Sequence, residues 1–134
     1  MIRLTLMAAA GAALTLMASP APAAPRPDRC EAPLPRPGSS FGGVVDHVMD
    51  GDSICVRTAS GLVEVRIADF NAPELKQAGR GARAKAAMKA IALGRRVECL
   101  ADHRSYDRMV SVCRLNGVSL GDRMRAAGIE EGGN

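Results

Sequence analysis

Val44-Val45-Asp46-His47-Val48-Met49, Ser53-Ile54-Cys55-Val56-Arg57 and Leu62-Val63-Glu64-Val65-Arg66-Ile67-Ala68 follow one another with only Asp50-Gly51-Asp52 and Thr58–Gly61 between them. Each run is short and rich in Val and Ile, and each break carries Gly with Asp or Ser, the composition of a tight turn. The third run alternates best: Val63, Val65 and Ile67 share one face, while Glu64 and Arg66 share the other. Strict alternation of this kind belongs to a half-buried strand, so Val44–Ala68 is predicted to be a three-stranded meander.

Outward from the meander, Asn71-Ala72-Pro73-Glu74 fixes a turn, because proline cannot continue a strand ladder. Gly81–Leu93 is Ala-rich, with Ala84, Met88, Ile91 and Ala92 on one helical stripe and Gly94 beyond its end. Arg95–Leu100 and Met109–Leu115 read as strands four and five, with His103–Arg108 as the polar loop between them. Ser119 and Asp122 resemble a capping box opening a short helix through Leu120, Met124 and Ala127, stopped by Gly128. The order β-β-β-α-β-β-α predicts an α+β fold: a five-stranded oligonucleotide/oligosaccharide-binding (OB) type barrel, a helix between strands three and four, and a short C-terminal helix.

The ends of the chain read differently. Met1–Met17 has Arg3 as its one charge, followed by a run of Leu, Ala and Met, and Ala21-Pro22-Ala23 is a small-residue cleavage signature. About 14 apolar residues are short for a membrane span of roughly 20, so residues 1–23 are expected to be a secretory signal peptide. Residues 24–42 hold five prolines and read as an extended leader without core content. The folded domain is expected over residues 43–128, with 129–134 as a short tail. Export to the periplasm or beyond, no membrane association after signal removal, and a monomeric state are the corresponding expectations. Cys30, Cys55, Cys99 and Cys113 are even in number and lack the close spacing of a zinc site, which points to disulfides. Three pairings are open; the favoured one joins Cys99 to Cys113 in neighbouring strand-like runs and leaves Cys30 for Cys55.

The protein of 134 residues has a net charge of +4, unevenly placed. Residues 24–75 hold five basic and eight acidic side chains, whereas residues 76–108 hold nine basic and three acidic. An acidic meander beside a basic helix and hairpin can offer a cation site next to a phosphate-attracting surface. Two Phe, one Tyr and no Trp leave few platforms for stacking single-stranded bases. Whatever is bound is gripped by charge and hydrogen bonds.

Three segments then stand out in order: Asp50-Gly51-Asp52-Ser53, the run from Arg66 to Glu74, and Tyr106-Asp107-Arg108. With no Gly at the sixth place and no Glu at the twelfth, Asp50 does not open an EF-hand. In this order and element pattern the segments resemble the staphylococcal nuclease-like (thermonuclease) family, over roughly Val44 to Gly128. The resemblance implies a phosphodiesterase that cuts DNA and RNA, single strands preferred, with the help of Ca²⁺. Carried over by position, Glu74 matches the general base, Arg66 and Arg108 the phosphate clamp, and Tyr106 a phosphate-binding hydroxyl. Asp52, Asn71 and the carbonyl of Ala72 match the metal ligands. His47 and His103 have no ligand-like spacing and are read as structural.

The sequence departs from that family twice. Asn71 stands where the pattern has a second metal carboxylate, so one negative charge is lost, and Asp69 two residues earlier is a candidate to replace it. The chain also ends about six residues after Gly128, without the aromatic-bearing segment that packs a base in family members. Weaker calcium affinity and lowered activity are expected. The alternative is a catalytically silent module of the same fold that binds nucleic acid or another polyanion through residues 76–108.

Overall fold

The computed structural model describes Met17, Ser19–Ala21 and Cys30–Gly132. Most of the expected signal peptide, and residues 24–29 of the expected leader, lie outside the described residues. Among the described residues no helix is long and apolar enough to cross a membrane.

Alternating apolar residues make the three predicted runs into β1 (Ser40–Asp50), β2 (Ser53–Thr58) and β3 (Gly61–Ile67), an antiparallel meander. The connection after β3 leads to α1 (Arg80–Ala92), and then to β4 (Arg96–Ser105) and β5 (Arg108–Leu115). β1 serves two neighbours. Its first half pairs with β4 from Ser40↔Leu100 to Val44↔Arg96, and its second half with β2. Gly43 sits at this bend, where a Cβ would lie 1.8 Å from the carbonyl oxygen of Arg57. Two register shifts, at Val45/His47 and Val48/Asp50, add curvature. β3 then meets β5 in parallel through Val65↔Met109, Arg66↔Val110 and Ile67↔Ser111. That pairing closes a five-stranded mixed barrel, the expected α+β, OB-type architecture.

The inside is filled by the alternating faces. Val45, Ile54, Val56, Val63, Val65, Ile67 and Val97 are all at most 1% exposed. Ala84, Met88 and Ala92 turn the buried stripe of α1 onto them, and Ile91 is half-buried against the same core. Ser119 accepts a hydrogen bond from the Asp122 N–H at 3.1 Å and so caps α2 (Leu120–Ala126), which seats Leu120 and Met124. The two disulfides follow the favoured pairing. Cys99 and Cys113 face each other across β4 and β5 with Cα atoms 4.0 Å apart, and Cys30 joins Cys55.

Three local readings differ from the sequence expectation. His103–Arg108 is not a loop: β4 runs to Ser105 and β5 starts at Arg108, so only Tyr106-Asp107 turn, with Tyr106 at φ 58°. Asp102, His103 and Arg104 are all exposed, so this ribbon lacks the alternation that marks a strand. A two-residue β6 (Val118–Ser119) pairs back on Leu115 through Asn116-Gly117, both at positive φ, a common hairpin-turn pair. The segment read as a leader also contributes to the fold. Ser40–Gly42 belong to β1, Ala32 and Leu34 pack against the core, and the Ala32 N–H donates to the Leu62 carbonyl at 2.9 Å.

Candidate active site

The β1–β2 turn, the end of β3 and the Asn71–Glu74 loop meet around one carboxylate. Gly51 makes the meeting possible, since a Cβ there would lie 2.6 Å from the side chains of both Ala72 and Ala84. With the turn held in that niche, Asp52 sits at the end of β3, and its carbonyl accepts from the Ile67 N–H at 2.8 Å. Its carboxylate oxygen Oδ2 accepts from the Ala72 N–H at 2.7 Å and pairs with Arg66 Nη2 at 3.0 Å. The hairpin register brings that arginine there, because Ser53 is directly opposite Arg66.

Arg66 is held from both sides. Nη1 donates to the carbonyl oxygens of Ile67 and of Phe70, the latter at 2.9 Å. Nη2 donates to Asn71 Oδ1 at 3.0 Å as well as to Asp52. Asp52 Oδ2 and Asn71 Oδ1 therefore converge on a single guanidinium nitrogen. Despite that cation, the Asp52 carboxyl is pushed up to about 6. Burial is the main cause and the neighbouring Asp50 carboxyl the second, and together they outweigh the Ala72 N–H and the Arg66 charge.

Asn71 has a second set of partners. Its Nδ2 donates to the Gly132 carbonyl at 2.7 Å, its N–H to Glu131 Oε1 at 2.9 Å, and its carbonyl accepts from the Gly132 N–H at 2.8 Å. An arginine on one side demands an acceptor, and a carbonyl on the other demands a donor. An amide satisfies both; a carboxylate would face the Gly132 oxygen with like charge. Gly132 itself is buried, with room for no Cβ: one would lie 2.7 Å from Pro73 Cα. The residue identity that departs from the thermonuclease pattern thus fits a local requirement, the docking of the Ile129–Gly132 segment.

The other predicted residues stand apart from this network. Glu74 has a fixed backbone, with its carbonyl accepting from Gln77 N–H at 2.9 Å and Gly81 packed against it. Its side chain is exposed and pairs with Lys76 at 3.0 Å. Arg108 is half-buried at the start of β5, one residue before Met109, which pairs with Val65. This places it beside Glu64, whose carboxyl is raised by burial and Asp107 against the opposing pull of Arg108. Tyr106 is fully out in solvent at the hairpin tip. Among the described residues no hydrogen bond or ion pair ties Glu74, Tyr106 or Arg108 to Arg66. Asp69 does not replace the lost charge, because its carboxylate packs against Gly121 of α2. His47 and His103 each pair with the preceding aspartate on the surface.

No protein-family model matches this chain, and no curated protein matches it. Among the described residues there is also no cluster of three or more His, Cys, Asp or Glu side chains able to hold a metal. The Asp52, Asn71 and Ala72 donors are a carboxylate, an amide oxygen and a carbonyl, all hard oxygens of the kind Ca²⁺ accepts. The chemistry of the set fits that ion, with Arg66 Nη2 as its internal competitor. Sequence reasoning missed the Ile129–Gly132 contacts and the pairing of Asp50 with Asp52. Asn71 in place of an acid, with Glu130-Glu131 further along, was the available signal.

Proposed function

We propose that this protein is an exported, calcium-assisted phosphodiesterase of the thermonuclease kind that hydrolyses DNA and RNA. The observation that carries the reading is the convergence of Asp52 and Asn71 oxygens on Arg66, an arginine oriented by two backbone carbonyls and eight residues before Glu74. The signal peptide expected at residues 1–23 and the two disulfides support export.

In this reading Glu74, exposed on a rigid loop, takes the proton from the attacking water as the new P–O bond forms and the bond to a sugar oxygen breaks. Arg66 and Arg108 offer paired N–H donors to the phosphate oxygens as charge builds on them. Tyr106 at the hairpin tip hydrogen-bonds a neighbouring phosphate. When bound at Asp52, Asn71 and Ala72, Ca²⁺ would supply charge neutralisation beside that phosphate. Arg66 Nη2 now bridges the Asp52 and Asn71 oxygens, so its N–H groups reach a phosphate only when those oxygens have another partner. Cleavage of single-stranded DNA in calcium, lost in chelator and in Glu74→Gln, is the test.

A second reading has its own observation. Because Arg66 Nη2 already fills the corner, the same fold can serve as a silent module that binds polyanions without cutting them. Salt-sensitive binding with no cleavage at any calcium concentration is the outcome that selects it.

A further inference from the structure

A cleft of about 220 Å³ lies beside the loop that carries Glu74, lined by Pro73, Arg80, Arg83, Gly128, Ile129 and Glu130. It is smaller than the roughly 300–1,000 Å³ of a pocket for a drug-sized ligand, so it suits one compact group. Its two arginines are exposed, and Arg83 has no ion pair among the described residues. Arg80 Nη2 donates to the Glu131 carbonyl at 3.4 Å and faces the protein's own Glu130 carboxylate, 3.7 Å away and with its side chain 86% exposed.

The segment that carries Glu130 is clipped on both sides of it. Ile129 packs against the core, and Gly132 is held by Asn71 and Pro73. Glu130 itself is the loosely held part, since a long, exposed pair of this kind is worth little. Carboxylate and phosphate oxygens are recognised by guanidinium in the same way. We propose that Arg80 and Arg83 form a subsite for a phosphate of the polynucleotide backbone, flanking the one at Arg66, and that Glu130 occupies it until nucleic acid displaces it. The subsite rests on the phosphodiesterase reading for its ligand, and on the cleft and its internal carboxylate for its place.

The experiment is fluorescence anisotropy of a labelled single-stranded DNA oligonucleotide in chelator across a salt series. It compares the wild type, Glu130→Gln, Arg80→Gln/Arg83→Gln, and the triple variant, each checked for an unchanged melting temperature. Glu130→Gln is expected to tighten binding about two- to fivefold, the value of one surface pair. Arg80→Gln/Arg83→Gln is expected to weaken binding and to lower the salt slope by about 0.7, one single-strand phosphate contact. In that background Glu130→Gln should have no effect. An unchanged affinity in Glu130→Gln, a gain that persists without the arginines, or no binding at low salt overturns the subsite. A parallel cleavage assay in calcium separates the two ideas. Coupling without cleavage retains the subsite and removes the phosphodiesterase, whereas cleavage without coupling does the reverse.

Discussion

Replacing Asn71 by Asp should make the protein less stable without calcium and more responsive to it. The amide donates to Gly132 at 2.7 Å in a half-buried setting, and a carboxylate cannot. Losing that bond is worth about 1 kcal/mol, with further repulsion between the carboxylate and the carbonyl oxygen. Arg66 offsets part of this, but its Nη2 is already shared with Asp52. For a domain of this size, about 1 kcal/mol lowers the melting temperature by about 4–8 °C. Calcium should reverse the order, because a restored carboxylate strengthens a corner already built from hard oxygens. A tenfold gain in affinity adds about 1.4 kcal/mol at high calcium. Melting temperatures measured in chelator and across a calcium series test this as a crossing of two curves. Asn71→Asp that melts with the wild type in chelator, or that shows the wild-type calcium dependence, would show that the Gly132 contact and the metal corner do not depend on the amide.

Because the folded-state Asp52 carboxyl is raised from 3.8 to about 6, the folded protein holds its proton to higher pH than the unfolded chain. In chelator, stability should therefore fall as pH rises between those values, by about 3 kcal/mol at most, and level off above. Urea midpoints across that range should show the slope in the wild type and not in Asp52→Asn. Gly81→Ala would put a Cβ 2.1 Å from the Glu74 carbonyl. It should cost about 1–3 kcal/mol in thermal unfolding and lower the turnover rate by moving Glu74. Removing the Cys99–Cys113 bridge opens a link between residues 14 apart and should cost about 3 kcal/mol in a denaturant titration.

The meander is legible in the sequence because Val63, Val65 and Ile67 alternate with Glu64 and Arg66, and because glycine and aspartate mark both turns. The gathering of Asp52, Arg66, Asn71 and Ala72 follows from the same pattern: a tight hairpin sets Ser53 opposite Arg66, and the loop after β3 must return past the turn. The long β4–β5 ribbon is not legible, because Asp102, His103 and Arg104 are all solvated and carry no period. Nor is the contribution of residues 30–42, whose prolines hide Ala32 and Leu34 as packing residues and whose Cys30 only suggests a tether. The contacts between Asn71 and Gly132 span sixty-one positions and leave no local trace. The state of Arg66 is likewise hidden, since its four acceptors come from its own strand, the loop beyond and the preceding turn.

If this corner of the barrel serves phosphodiester hydrolysis, the protein must cut a polynucleotide. The most direct measurement is cleavage of single-stranded DNA by the oxidised protein in calcium, beside the same reaction in chelator and with Glu74→Gln. Calcium-dependent cleavage by the wild type and none by the variant is expected, with oligonucleotide binding unchanged. Cleavage that survives in Glu74→Gln, or no cleavage at any calcium concentration while binding persists, would contradict it.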